Sequence, residues 1–178
     1  SRKSVVNFED NLVPSFGDPA SDNMLTSGLN GTGNEPLIPT GRIAAKTGIE
    51  ITWYLDKISD YENPPTPISI AKDENEWMKK ILHFGGGNNA GEQNAFVNYL
   101  TNYKSTIEDT LFGGDVTSFF KNSTAPIQSS LADTIKGYIE DGISLMTFLG
   151  HSSATGGFDQ NIDDVSLWPD QDGKYPFL

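Results

Sequence analysis

Cysteine is absent from this 178-residue chain, which removes disulfides, thiolate metal sites and any cysteine nucleophile within it. Basic residues are scarce: 12 Lys and Arg stand against 24 Asp and Glu, a formal charge of −12 with a pI near 4.4. Such a surface repels phosphate backbones and anionic lipid at neutral pH, so nucleic acid is excluded as an expected partner. Long hydrophobic runs are also missing. None approaches the ~20 apolar residues of a membrane span, and the opening "SRKSVVNFED" lacks the apolar stretch of a signal peptide. Histidine occurs twice, at 83 and 151. A chain of this length suits one ordinary domain, able to hide roughly 70% of its unfolded surface.

What is present alternates between helix and strand. "IPTGRIAA" (38–45) reads as a short strand, followed by Thr47 and Glu50 at capping-box spacing and a helix over 47–62 that "NPPTP" stops. "WMKKILHFGGG" (77–87) reads as a strand running into glycines. Phe96, Leu100, Tyr103, Ile107 and Leu111 then recur every three or four residues, predicting a helix over 92–114 that ends at Gly113-Gly114. "DVTSFFK" (115–121) is a further strand. Ile127, Leu131, Ile135 and Ile139 mark a helix over 123–142, with Pro126 in its first turn and Gly142 at its end. The apolar run "ISLMTFL" (143–149) has the length and composition of a strand covered on both faces. "GKYPFL" begins another apolar run after the turn signal Asp172-Gly173, which reads as the start of a buried strand in a chain cut at its C-terminus.

Strands alternating with 12- to 20-residue helices predict an α/β fold: three layers, with a mostly parallel sheet flanked by helices. In such sheets the carboxyl ends of the strands form the functional edge. His151 falls there, two residues past the strand 143–149, in the polar stretch "GHSSATGG". His83, inside "ILHFGGG", reads instead as a partly buried, hydrogen-bonded strand histidine. "GGGNNAGE" (85–92) lacks the Lys-Ser/Thr of a P-loop and the spacing of a dinucleotide fingerprint, so it reads as a flexible loop on the functional edge. Trp53 and Trp77 read as core or helix-packing residues.

Two blocks carry a resemblance. The segment 134–178 presents a helix ending "YIEDG", the strand "ISLMTFL", "GH" at its tip, the acidic loop "FDQNIDDVSLW" and then "GKYPFL". The block "PLIPTGRIAAKTGIEITWYLDKISDYEN" (36–63), preceded by "SFGDPASDNML" (15–25), agrees with it. Together they resemble the gingipain family of cysteine peptidases. The resemblance implies a caspase-like α/β peptidase domain over 36–178, incomplete at its C-terminus, behind an irregular acidic segment 1–35. It implies a cysteine endopeptidase in which His151 is the general acid/base and a cysteine follows the next strand, past Leu178. An unassisted thiol, with pKa near about 8.5, is a poor nucleophile at neutral pH, and a neighbouring imidazole corrects this. On this reading the chain alone is inactive.

The backbone N–H of Ser152 is the expected oxyanion donor; relatives commonly carry Gly after the His, and the Ser152 side chain narrows that approach. Trp168 and Asp159 are substrate-pocket candidates. No cofactor is required. Asp159, Asp163 and Asp164 offer the oxygen ligands that calcium prefers, although their spacing matches no EF-hand loop and a solvated acidic loop is the preferred reading. Expected partners are a polypeptide substrate and the remainder of the parent protein. Export to the bacterial surface or medium by type IX secretion follows from the resemblance alone. The competing reading is a non-catalytic, doubly wound binding module or a pseudo-peptidase within a secreted multidomain protein.

Overall fold

The computed structural model describes residues 13, 15–17, 21–31, 33–43, 45–63, 72–122, 130–153, 157–158, 168 and 173–177. Its contacts divide into two compact units, Ser1–Trp53 and Tyr54–Leu178.

In the first unit, Arg42 is the organiser. Its guanidinium grips both carboxylate oxygens of Asp22, at 2.8 and 2.6 Å, and donates to the Val13 carbonyl at 2.8 Å. This fork is the geometry in which an arginine fixes orientation as well as charge. It holds the Asp22 carboxyl below the usual carboxylate range. Thr26 Oγ1 donates to the Ile38 carbonyl at 2.9 Å, and Ser27 bridges Pro36.

The strand expected over 38–45 is not formed among the described residues; 38–43 and 45 run without a sheet partner, and Ile38 and Ile43 are exposed. Pro39 has no N–H for a ladder, and Gly41 favours no extended pairing. Helix α1, Gly48–Glu62, begins where the spacing predicts. Glu50 N–H donates to Thr47 Oγ1 while Glu50 Oε2 accepts from the Thr47 N–H, a reciprocal capping box. Trp53, expected to pack, is exposed.

The second unit is built on a three-stranded parallel sheet. Its elements are β1 (Lys80–Gly85), α2 (Ala90–Ile107), β2 (Asp115–Phe120), α3 (Ser130–Asp141) and β3 (Leu145–Leu149), with sheet order β2-β1-β3. Residues 77–79, expected within the first strand, instead close a 3-10 turn, Lys72–Lys79. That turn seats Trp77 in the interior, edge-on to Tyr61 of α1 at 6.2 Å.

Because β1 alternates, its two faces serve two layers. Leu82 and Phe84 point to α3, forming a core with Ile135, Ile139, Ile143 and Met146. Phe84 also stacks between two register partners, Phe119 at 5.4 Å and Phe148 at 4.8 Å, so three rings cross the sheet in a ladder. On the opposite face Gly85 lies under Leu100 of α2, where an added Cβ would come within 2.7 Å of the Phe120 ring. The result is the predicted α/β arrangement: a parallel sheet flanked by helices. Two right-handed crossovers leaving β1 and β2 in opposite directions require this.

Several boundaries moved. Helix α2 stops at Ile107, not 114: Gly113 (φ 63°) and Gly114 turn the chain back, with Gly114 N–H on the Ile107 carbonyl at 2.9 Å. Leu111 consequently leaves the helix and is 94% exposed. The start of the third predicted helix, 123–129, lies outside the described residues. Strand β3 is half-buried except at Met146, less covered than its continuous apolar run implied. His83 is 1% exposed, more buried than expected, and neither ring nitrogen has a close hydrogen-bond partner among the described residues. Phe177 does enter the sheet. It pairs in parallel with Leu145, donating to the Ser144 carbonyl at 2.9 Å and accepting from Met146 N–H at 2.8 Å, while its side chain stays 58% exposed.

Candidate functional site

The chain after β1 and the chain after β3 leave adjacent strands at the same carboxyl edge. Gly86 N–H donates to the Leu149 carbonyl at 2.8 Å and holds the two exits side by side. From β1 the path continues through Gly85, Gly86 and Gly87 into α2; from β3 it passes Gly150 to His151. Strand order β2-β1-β3 places the reversal of winding between these two strands, the position where open α/β sheets form a ligand crevice.

Two side chains meet at this point. His151 Nε2 lies 3.1 Å from Glu92 Oε2, both partly exposed. Glu92 belongs to the first turn of α2 and is fixed twice over. Its N–H donates to Asn89 Oδ1, the N-cap, at 3.0 Å, and its Oε2 accepts the Asn88 N–H at 2.9 Å. The Asn88 N–H first, and His151 next, hold the Glu92 carboxyl below the usual carboxylate range. The position at a helix N-terminus also favours a carboxylate. Phe96, one turn on, sets its ring 6.5 Å from the imidazole. A carboxylate held rigidly against one ring nitrogen fixes the orientation of the imidazole.

This arrangement lies within a chain whose residues 2–178 match the model of peptidase family C25. The chain belongs to that family. It is the gingipain family of cysteine peptidases that the two sequence blocks resemble. No curated protein and no solved structure matches the chain.

Other candidate residues of the gingipain-family domain fall as follows. Ser152 opens a two-residue strand, β4 (Ser152–Ser153), paired antiparallel with β5 (Gly157–Phe158) in the register Ser152↔Phe158. Its backbone therefore leads from His151 directly into a hairpin. Trp168 packs against the α3-side core of Leu82, Phe84 and their neighbours, with Nε1 buried and unpartnered among the described residues. Asp159, Asp163 and Asp164 lie outside the described residues, and so does any calcium site they would form. Among the described residues no three His, Asp or Glu side chains converge as a metal site, and no helix is long and apolar enough to cross a membrane.

Glu92 was missed in the sequence reading. The signal was there: Asn89-x-x-Glu92 is a capping-box spacing at the mouth of a helix that follows a glycine-rich exit from a strand. Such a Glu stands on the functional edge by topology alone.

Proposed function

We propose that this gingipain-family domain supplies the acid/base half of a peptide-cleaving site, with His151 as general acid/base and Glu92 as its positioning carboxylate. The observation that carries this reading is the 3.1 Å contact between them at the carboxyl edge, made by loops from adjacent parallel strands. Peptide hydrolysis by a thiol needs a base that takes the S–H proton, then returns it to the leaving amine as the C–N bond breaks. The same base next removes a proton from water, which displaces the thiol from the acyl intermediate. An imidazole oriented by a carboxylate serves each of these transfers.

These 178 residues contain no thiol, so the nucleophile comes from outside them. The strand that Phe177 enters is the supporting geometry. Phe177 is level with Leu145, and Leu149 is four residues further on, so a strand continued in this register would run toward the His151 edge. We assign the thiol to that strand. The Ser152 N–H is the proposed oxyanion donor because it follows the imidazole immediately in sequence, as the oxyanion donors of such sites are backbone N–H groups. The substrate is a polypeptide, and the domain works in a secreted or surface protein.

The test uses the natural protein containing these residues, assayed on a fluorogenic peptide library with and without a thiol-alkylating agent. His151→Ala is expected to lower kcat/KM about 10²–10⁴-fold, and Glu92→Gln is expected to lower it less, with an altered pH profile. Alkylation abolishes turnover. An undiminished rate in the His151→Ala protein would sink the assignment. The absence of a thiol here favours one second reading, a pseudo-peptidase retained for binding; peptide binding without turnover in the natural protein supports it.

A further inference from the structure

His83 sits in the middle of the central strand, 1% exposed, on the face that carries Gly85 and α2. Its register neighbours are Ser118 on β2 and Thr147 on β3, neither of them charged. Both ring nitrogens are buried without a hydrogen-bond partner among the described residues. The charged groups that face it come from α2: Lys104 and Glu108. These two are already committed, Lys104 Nζ to the Val116 carbonyl at 2.6 Å and to Glu108 at 3.3 Å, and Glu108 Oε1 to the Val116 N–H at 3.0 Å. A neutral imidazole is tolerated in such a space as a flat, weakly polar filler. An imidazolium is disfavoured there, because burial strips its hydration and, among the described residues, only the Leu100 backbone and Glu108 favour the charged ring.

We propose that His83 is an acid-sensitive latch of the fold: neutral, it fills the layer between sheet and α2, and a proton on it drives α2 off the sheet. Because α2 also carries Glu92, separation of these layers takes apart the contact with His151. The inference stands whether or not the domain cleaves peptides.

Burial is the largest cause acting on His83 and lowers its pKa from the ordinary 6.5; the Leu100 backbone opposes it, the Lys104 charge adds to the lowering and Glu108 opposes it. The sign follows directly. In the unfolded chain this ring takes up a proton below pH about 6.5, and in the folded chain it does not until lower pH. Unfolding therefore binds protons, and the folded-to-unfolded ratio falls by up to about tenfold per pH unit below 6.5. The depressed carboxylates Asp22, Glu50, Glu92 and Glu108 act in the same direction, but only below the ordinary carboxylate value of 4.5 for the glutamates and 3.8 for Asp22. The interval between 4.5 and 6.5 lies above them, where His83 acts.

Two measurements on this chain decide the matter. In a pH titration followed by NMR, the two histidine Cε1–H resonances are resolved, and that of His83 does not move until the native spectrum is lost. In urea unfolding from pH 7.5 to 5, the wild-type folding equilibrium falls by up to tenfold per pH unit, and His83→Leu flattens that fall. A His83 resonance that titrates reversibly near 6.5 in the native spectrum overturns the latch, as does a His83→Leu protein with the wild-type pH slope. If His83→Leu does not fold, the wild-type titration decides alone.

Discussion

Gly87 sets the hinge between the sheet and the helix that carries Glu92, and Gly87→Ala is the sharpest perturbation of that hinge. Its φ of 123° lies where side-chain-bearing residues rarely go, at a strain cost of about 1–3 kcal/mol. A second cost adds to it. A Cβ at this position would come 2.9 Å from the Gln93 backbone N and Cγ, and 3.2 Å from its Cα. Backbone atoms in the first turn of a helix cannot swing aside as a side-chain tip does, so α2 must translate, at about 1–3 kcal/mol for a forced repacking. The combined loss of about 2–6 kcal/mol lowers the urea midpoint by roughly 1 M or more for an m-value near 2 kcal/mol/M. Because Glu92 adjoins Gln93, the same displacement disturbs the His151 contact, and the His151 Cε1–H resonance shifts. Gly113→Ala is the matched control: φ is 63° but nothing lies within 4 Å of its Cβ, leaving only left-handed strain of about 1–2 kcal/mol. If Gly87→Ala unfolds within about 0.5 kcal/mol of wild type and leaves the His151 resonance in place, the account of the hinge is wrong.

Phe84→Leu keeps the burial of the central ring but removes both stacking partners, at about 0.5–1.5 kcal/mol for each of the two pairs; a urea midpoint equal to wild type shows that the ladder is only area burial. Arg42→Lys preserves charge and loses the fork on Asp22, so limited proteolysis should cut the segment 13–42 faster while the unfolding of the second unit stays unchanged. Equal cutting of both proteins argues that Arg42 does not organise that segment.

Much of the second unit was legible because its elements carry local signals that tertiary packing did not override. The apolar run before His151 named a strand and its carboxyl end, as the capping box at Thr47 and Glu50 named the start of α1 in the first unit, while the glycines after α2 marked a turn but not the helix end at Ile107. The functional edge followed from topology, not from any motif. What failed shared a cause: each depended on partners distant in sequence. "IPTGRIAA" has strand composition, but a strand exists only where a neighbour accepts its ladder. Leu111 continues the helical period of α2, yet Asp109 Oδ1 caps the Leu111 N–H at 2.7 Å and the turn wins. The burial of His83 between Ser118 and Thr147 depends on strands 35 and 64 residues away, which no local reading supplies.

Leu111 has a practical value of its own. It lies on the turn that feeds the amino end of β2, at the opposite edge of the sheet from His151, with almost its whole side chain in solvent. Since the chain has no cysteine of its own, Leu111→Cys would install a unique thiol that takes a dye, a spin label or a surface tether in a single step. The attached probe would report from the far side of the molecule, leaving the histidine edge unobstructed for whatever binds there.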